Sequence, residues 1–251
     1  MLGKKKTFYD IYHKKNRNGQ YYSVITEPNF TYFYTLKYLK KVLSEFGLRQ
    51  LNILDLGCGV GTIDFYLAKM GHHVTGVDVS PDAINICKTA QKQLEFDNTN
   101  FICADIANVP IHRKFDLIIC SEVIEHVEDD DGLLAKMHTL LNDGGMLLLT
   151  TPSQKAPLYR LGLLKNFDRR VGHLRRYTTD SLRELVSSSG FEIVTSAKTE
   201  SILRNMLYTF SILGYLIKFI RGPLVPIFHI ADQLFVTLLG ESDLVVIGRK
   251  L

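Results

Sequence analysis

The chain has 251 residues, of which 46% are hydrophobic and 22% are charged, and its formal net charge is +4. This predicts one α/β domain with a sizeable elaboration, and it excludes a membrane protein of many spans. The charge is uneven, because residues 1–17 and 160–183 each carry a net charge of +5. These segments either attract an anion or a membrane surface, or are ordinary solvated basic loops.

Residues 1–45 form a basic and aromatic segment ahead of the predicted core. The stretch 7–18 is polar, so the N-terminus lacks the apolar run of a signal peptide. We expect one or two helices here that cover the open end of the sheet. The four cysteines are scattered without a Cys-x-x-Cys pair, which favours reduced thiols in a cytoplasmic protein.

Seven short apolar segments alternate with stretches of helical length along the rest of the chain. Ser80-Pro81 and Thr179-Asp180 are typical helix starts in this pattern. Alternation of this kind predicts βαβ units and a mostly parallel sheet. The predicted strands are 51–56, 73–78, 100–103, 115–120, 144–151, 191–198 and 243–249.

A glycine-rich motif follows the first predicted strand. That strand ends in Asp55, and Gly57, Gly59 and Gly61 come next, before a predicted helix. Glycines here allow a sharp turn and a close approach of a ligand to the backbone. A dinucleotide site needs glycine or alanine where Thr62 stands. The carboxylate two residues before Gly57 suits an ammonium-bearing ligand better than a pyrophosphate, which argues against an NAD-linked oxidoreductase.

Acidic residues also follow the next predicted strands. Asp78 ends the second strand and is able to accept hydrogen bonds from ribose hydroxyls. Asp105 follows the third strand, where it is expected to face an adenine amino group. Ser121 and Glu122 follow the fourth strand, where they are expected to contact the other end of the ligand. All of these positions lie at carboxyl ends of strands, where open α/β sheets bind ligands.

The motifs Asp-Leu-Gly-Cys-Gly-x-Gly and Ser-Glu-Val-Ile-Glu-His-Val resemble those of class I S-adenosylmethionine (SAM) methyltransferases, in particular the ubiquinone-biosynthesis O-methyltransferases. The resemblance implies a Rossmann-like, seven-stranded, mostly parallel sheet with an antiparallel last strand and helices on both faces. It also implies SAM as methyl donor and S-adenosylhomocysteine (SAH) as product. The expected cofactor-binding residues are Asp55, Gly57, Cys58, Gly59, Gly61, Asp78, Val79, Asp105, Ile106, Ser121 and Glu122.

The segment Glu122-Val-Ile-Glu125-His126 allows three interpretations. In the ubiquinone group an E-x-x-E-H motif is linked to a divalent metal, and two carboxylates with an imidazole suit such a cation. His126 is alternatively a general base, because its ordinary pKa of about 6.5 suits removal of a hydroxyl proton. The third interpretation is a histidine that only shapes the pocket. We expect no metal and take His126 as a catalytic candidate.

Residues 152–178 form an irregular basic insert after the fifth predicted strand. His173, Arg175, Arg176 and Tyr177 lie in it, on the expected acceptor side. They form either a lid that clamps an anionic substrate or a surface loop whose arginines pair with helix carboxylates. His173 is the second candidate for the general base.

Residues 201–240 form an apolar insertion before the last predicted strand. Its first half has one apolar helical face, Arg221-Gly222-Pro223 ends that helix, and a second apolar stretch follows. Neither half has the ~18 uninterrupted apolar residues of a spanning helix. The insertion is a helical pair packed on the domain, an interfacial membrane element, or a dimer surface.

Together these features predict a single methyltransferase domain over 1–251, with a helical cap (1–45), a SAM-binding core (46–200 and 241–251) and the apolar insertion. We expect methyl transfer to an oxygen of a small, lipid-like or anionic acceptor. N-methylation and an inactive SAM-binding partner subunit are the alternatives. No nucleic-acid partner is expected, and the protein is a monomer or homodimer in the cytoplasm, with membrane contact at the inner face through 201–240.

Overall fold

The computed structural model describes residues 24–106, 109, 113–220 and 222–251. The first part of the predicted cap, residues 1–23, lies outside this range. A seven-stranded sheet with the order β3-β2-β1-β4-β5-β7-β6 forms the centre. The strands are β1 (Asn52–Leu56), β2 (His73–Asp78), β3 (Thr99–Cys103), β4 (Phe115–Ser121), β5 (Leu141–Pro152), β6 (Phe191–Thr199) and β7 (Asp243–Lys250).

The direction of the strands confirms the predicted topology. β1 to β5 pair in parallel with their neighbours, whereas β7 runs antiparallel to both β5 and β6. The first residue of β7 therefore lies at the same edge of the sheet as the carboxyl ends of the other strands. All seven predicted strands are present, and the Rossmann-like fold with a reversed last strand is confirmed.

Helices cover both faces of the sheet, because successive side chains of a buried strand point to opposite sides. Ile53 packs into one apolar cluster, with the helix that precedes β1, and Leu54 packs into the other. The helices before the insertion are α1 (Phe33–Glu45), α2 (Thr62–Lys69), α3 (Pro81–Gln93), α4 (Asp130–Leu140), α5 (Pro157–Arg160), α6 (Lys165–Val171) and α7 (Thr179–Ser188).

Two of these helices begin at the predicted caps. The Ser80 hydroxyl accepts a hydrogen bond from the Ala83 amide at 3.2 Å, and Pro81 occupies the first turn of α3. At α7, Thr178 and Ser181 form a reciprocal capping box. Each cap satisfies backbone amides that a helix start leaves without partners.

The sequence predicts one continuous helix across 202–220, but the structure has several shorter helical elements there. The first, α8 (Ile202–Thr209), ends where Phe210 has an extended backbone with ψ 113°. The remaining elements are α9 (Ser211–Gly214), a 3₁₀ turn (Tyr215–Phe219) and α10 (Leu224–Leu239). Within the described residues, no helix has the length and apolar character needed to cross a membrane.

A buried polar cluster fixes the orientation of α10. Asp232 is fully buried and accepts hydrogen bonds from Tyr34 Oη at 2.7 Å, Ser201 Oγ at 2.6 Å and Arg204 Nε at 3.3 Å. The polar side of α10 is thereby turned inward. Its apolar side faces outward through Ile227, Ile230, Leu234 and Leu238, which are 62%, 72%, 57% and 67% exposed.

Candidate active site

The glycine motif forms a tight loop whose amides are already bonded to the protein. The amides of Gly57 and Cys58 donate to the carbonyl of Val77 at 2.8 and 3.0 Å. The Gly59 amide donates to Asp78 Oδ2 at 2.9 Å. These amides are therefore not assembled into an open anion-binding nest, as a pyrophosphate would require. The loop suits a ligand that meets carboxylates and close-packed backbone.

The strand register brings the other predicted cofactor residues to the same edge of the sheet. Leu56 pairs with Val77 and with Cys120, and Asp78 pairs with Cys103. The residues that follow these positions, including Val79, Asp105 and Ile106, therefore border one cleft and are partly accessible. Gly61 begins α2 at the loop's end. The structure places the eleven predicted cofactor residues in β1 to β4 or in the loops that follow these strands, at the carboxyl edge of the sheet.

Ser121 and Glu122 end β4 on a shared hydrogen-bond chain. Ser121 Oγ lies 2.8 Å from Thr150 Oγ1, and the Thr150 hydroxyl donates to Glu122 Oε1 at 2.8 Å. Glu122 has a positive φ of 57°, which is uncommon for a residue other than glycine. Such backbone strain is typical of functional sites, and it turns Glu122 out of the following 3₁₀ turn.

A pair of buried carboxyl groups lies behind the glycine loop. Asp55 is 5% exposed and interacts electrostatically with Asp64 of α2, which is fully buried. Burial raises the pKa of Asp55 to about 7, and burial together with Asp55 raises the pKa of Asp64 well above its usual value. Gly76 leaves room for this pair, since an added Cβ would lie 2.5 Å from Asp64 Oδ1. Sequence reasoning missed Asp64, although an acid on an otherwise apolar helix was a signal.

We expect this pair to make stability fall as pH rises. The native state keeps protons that unfolded aspartates release near pH ~4, so the free energy of unfolding decreases from there through about pH 7. Asp64→Asn removes one titrating group, so its melting temperature should fall less between pH 5 and 8 than that of the wild type. Asp97→Asn, at an exposed position, is the control and should follow the wild-type profile. Parallel profiles for Asp64→Asn and wild type would contradict the role of the pair.

The two predicted catalytic histidines lie side by side, with ring centroids 4.8 Å apart. His126 Nδ1 lies 3.1 Å from the Gly172 carbonyl, and His173 Nδ1 lies 3.0 Å from Asp168 Oδ1. The Nε2 atoms lie 3.8 and 3.9 Å from Glu125 Oε1. On each ring, Nδ1 is bonded to the protein, and both Nε2 atoms face Glu125 Oε1.

The basic insert is attached to the core next to these histidines. Leu174 donates its amide to the carbonyl of Glu125 at 2.9 Å. Arg176 forms a two-pronged ion pair with Asp168, and Arg175 pairs with Asp130 at 2.6 Å. Both arginines therefore already have carboxylate partners, which favours the surface-loop interpretation over an anion clamp made by these two side chains.

The structure groups Glu125 and His126 of the E-x-x-E-H motif with His173 of the basic insert. Glu122 is not in this group, and its backbone is left-handed. Ligand atoms of Glu125, His126 and His173 lie within 4.8 Å of one another. Two imidazoles and a carboxylate are a donor set for a transition metal. The expectation of no metal stays a prediction.

The fold and the cleft together define a SAM-dependent methyltransferase. A mostly parallel sheet with a reversed last strand, a glycine loop after β1 and acids after β2 and β3 meet at one edge. A family model described as a methyltransferase domain matches residues 48–209. The chain belongs to this family, and SAM is its methyl donor.

Curated relatives are ubiquinone biosynthesis O-methyltransferases. The protein of Coxiella burnetii (strain RSA 493 / Nine Mile phase I) is 36% identical over 126 residues, which are 49% of this chain and 53% of the relative. That of Rickettsia felis is 28% identical over 172 residues, 68% and 70% of the two chains. The chain thus spans about half the length of the first of these relatives.

Solved structures share the fold over most of the chain. Magnesium protoporphyrin IX methyltransferase from Synechocystis PCC 6803 with bound SAH has a TM-score of 0.64 at 17% identity, covering 98% of this chain and 96% of that one. Phosphoethanolamine N-methyltransferase 2 of Haemonchus contortus with SAM has a TM-score of 0.64 at 16% identity, covering 85% and 52%. Identities this low show the fold alone.

Proposed function

We propose that the protein methylates a hydroxyl group of a small, lipid-like acceptor, with SAM held at the carboxyl ends of β1 to β4. Asp78 would accept the ribose hydroxyls, Asp105 the adenine amino group, and Val79 with Ile106 would flank the ring. Asp55, the glycine loop, Ser121 and Glu122 would surround the methionyl end. The named O-methyltransferase relatives support oxygen as the methylated atom.

The Asp168–His173 pair is the observation that carries the chemistry. A hydroxyl acceptor needs a base, because its oxygen attacks the methyl carbon as the C–S bond breaks and its proton must leave. With Nδ1–H donated to Asp168, the Nε2 atom of His173 is left to accept that proton. Although burial opposes it, hydrogen bonds from His173 and Arg176 lower the pKa of Asp168, so this partner stays a carboxylate.

SAM supplies an electrophilic methyl group when bound, so the protein mainly has to position the acceptor and exclude water. His126 lines the same space, with Nδ1 held by a backbone carbonyl. We assign His173 as the base and His126 as a positioning residue. The reason is that a carboxylate partner stabilises a protonated imidazole, which a carbonyl does less strongly.

The lipid-like character of the acceptor rests on the outward face of the insertion. The four exposed aliphatic residues of α10 form a stripe on a helix whose single charged residue, Asp232, is buried. Phe219 and Leu224 of the same insertion, and Leu161 and Leu163 of the basic insert, are exposed apolar side chains as well. A patch of this kind marks an interaction surface rather than an ordinary solvated face.

Exposed cations of the basic insert favour an anionic membrane surface as the partner of this face. Lys155, Arg160, Lys165 and Arg169 are exposed and form no ion pair within the part of the chain that the structure describes. Lys155 adjoins the end of α10, since its carbonyl is 3.7 Å from a Cβ built on Gly240. Apolar residues flanked by cations are typical of elements that lie in a membrane interface.

This proposal predicts how the protein binds vesicles. The double variant Ile230→Gln/Leu234→Gln should lower cosedimentation with phosphatidylglycerol vesicles at least about 10-fold, since each buried CH₂ contributes about 0.8 kcal/mol. Leu48→Gln replaces a fully exposed leucine outside the insertion and should bind as the wild type does. If the double variant binds vesicles as the wild type does but dissociates a dimer that the wild type forms, this face is a subunit interface instead.

The proposed reaction is tested with methyl-labelled SAM and extract of the source cells. After incubation, the products are partitioned between organic solvent and water. Label in the organic phase supports a lipid-like acceptor. Label that is stable to alkali is an ether rather than a methyl ester, and it supports methylation of a hydroxyl group over methylation of a carboxyl group. Label only in the aqueous phase would contradict the lipid-like acceptor, label on nitrogen would favour the N-methyltransferase alternative, and no label would favour an inactive partner subunit.

A further inference from the structure

Three carboxylates form a row across the strand ends on one side of the candidate site. Glu122 follows β4, Asp243 begins β7 and Glu200 follows β6. The carboxyl ends of β4 and β6 and the first residue of β7 lie at the same edge, with β5 between β4 and β7, and neighbouring strands lie about 4.8 Å apart. The charges of Glu122 and Glu200 both raise the pKa of Asp243, so the three groups interact electrostatically.

The sheet order puts Asp243 and Glu200 on the far side of β4 from the glycine loop and Asp78, with Glu122 at the end of β4 between the two groups. β1, β2 and β3 lie to one side of β4, and β5, β7 and β6 lie to the other. The glycine loop and Asp78 belong to the first group of strands. Asp243 and Glu200 belong to the second, so they are positioned for the acceptor and not for the methyl donor.

The row lines accessible space, since Glu122 is exposed and Glu200 and Asp243 are half-buried. Burial raises the pKa of all three groups, with that of Glu200 reaching about 8 although Arg204 opposes the shift. Each of the three side chains nevertheless keeps part of its surface accessible. The Glu200 carboxylate has no hydrogen-bond partner among residues 24–106, 109, 113–220 and 222–251, so it is available to a ligand.

Two fully buried side chains beside the row also have polar atoms without partners. Thr199 lies directly opposite Asp243 in the β6–β7 ladder, so both side chains are on the same face of the sheet, and Thr199 Oγ1 is unbonded. Arg204, whose charge acts on Glu200, has an unbonded Nη2. A buried donor without an acceptor costs about 1–3 kcal/mol, and buried polar atoms in native proteins normally have partners.

We propose that Asp243 and Glu200, bordered by Thr199 and Arg204 and adjoining Glu122 at the methionyl end of SAM, form a subsite for a hydroxyl-rich, sugar-like group of the acceptor. Hydroxyls donate to carboxylates and also accept from a guanidinium or a threonine hydroxyl. An ammonium group donates only, so it would leave Arg204 Nη2 without an acceptor. The inference rests on the proposed methyl transfer, and it adds that the lipid-like acceptor is glycosylated.

The first test examines the methylated product. Labelled lipid from the extract reaction is hydrolysed in mild acid, which cleaves glycosidic bonds, and is partitioned again. The subsite predicts that the label moves to water as an O-methyl sugar. Label that stays in the organic phase overturns the subsite while leaving the lipid methyltransferase intact. An absence of organic label before hydrolysis is instead a failure of the proposed function.

The second test separates the subsite from the fold. Glu200→Gln and Asp243→Asn keep the shape of each side chain, so SAH affinity should stay within twofold of wild type. The KM for the extract acceptor should rise at least fivefold in both. Glu184→Gln, an exposed position on α7, is the control and should change neither quantity. An unchanged KM in both row variants overturns the proposal, as does N-methyl label on an amino sugar, which would assign the row to an ammonium group.

Discussion

Gly57→Ala is expected to weaken SAH binding about 100-fold, or about 2.8 kcal/mol. The physical reason is a collision, because a Cβ built on Gly57 would lie 2.3 Å from Val123 Cγ2. Gly57 also has φ 79°, a backbone conformation that costs other residues about 1–2 kcal/mol. Relief of the collision must move the loop or Val123, and both border the cleft. Titration calorimetry with SAH measures the loss.

Two further variants separate the collision from the backbone strain. Gly71→Ala has the same kind of conformation, with φ 91°, but an added Cβ there meets nothing within 4 Å. It should lower stability by about 1 kcal/mol and leave SAH affinity unchanged. Gly57→Ala combined with Val123→Ala should recover most of the affinity. If the double variant binds no better than Gly57→Ala, the collision is not the cause.

His173→Ala is expected to lower the methyl transfer rate by about 10²–10⁴-fold, the usual contribution of a general base, with SAH affinity unchanged. Asp168→Asn keeps the shape but removes the negative charge that holds His173 Nδ1 at 3.0 Å. It should slow the reaction by about 10–100-fold, as is typical when a supporting partner is lost. The label-transfer assay measures both rates.

The histidine assignment has its own controls. His73→Ala, an exposed histidine at the start of β2, should react at the wild-type rate. His126→Ala should be slower than wild type but faster than His173→Ala. A larger loss for His126→Ala would exchange the two roles. Rates that collapse on addition of EDTA and recover with a divalent metal would show instead that Glu125, His126 and His173 act as ligands.

The donor half of the site was predictable because its signals are local in the chain. Each expected cofactor residue directly follows an apolar segment, and Gly57, Gly59 and Gly61 are only two residues apart. In a parallel sheet, carboxyl ends of strands necessarily share an edge, so strand assignment alone brings these residues together. The predicted strands followed from the same pattern and are confirmed. The reversed last strand, which the family resemblance implied, is confirmed as well.

The acceptor half depends on contacts between distant parts of the chain. The Gly172 carbonyl that holds His126 is 46 positions away from it, and Asp168, Arg175 and Arg176 choose their partners only when the insert folds onto the core. No periodicity reports such pairings. The sequence therefore left the lid and surface-loop interpretations open, and it did not show that His173 lies beside Glu125 and His126.

The sequence by itself determined the sheet, the glycine loop and the class of chemistry, because short-range patterning encodes which segments are strands and which residues end them. Only the tertiary structure decided which side of α10 faces out, since Tyr34 contacts Asp232 across 198 positions. It also decided that Glu122, Glu200 and Asp243 share one edge. A helical wheel predicts a face but not what covers it, and carboxylates far apart in the chain meet only when β7 inserts between β5 and β6.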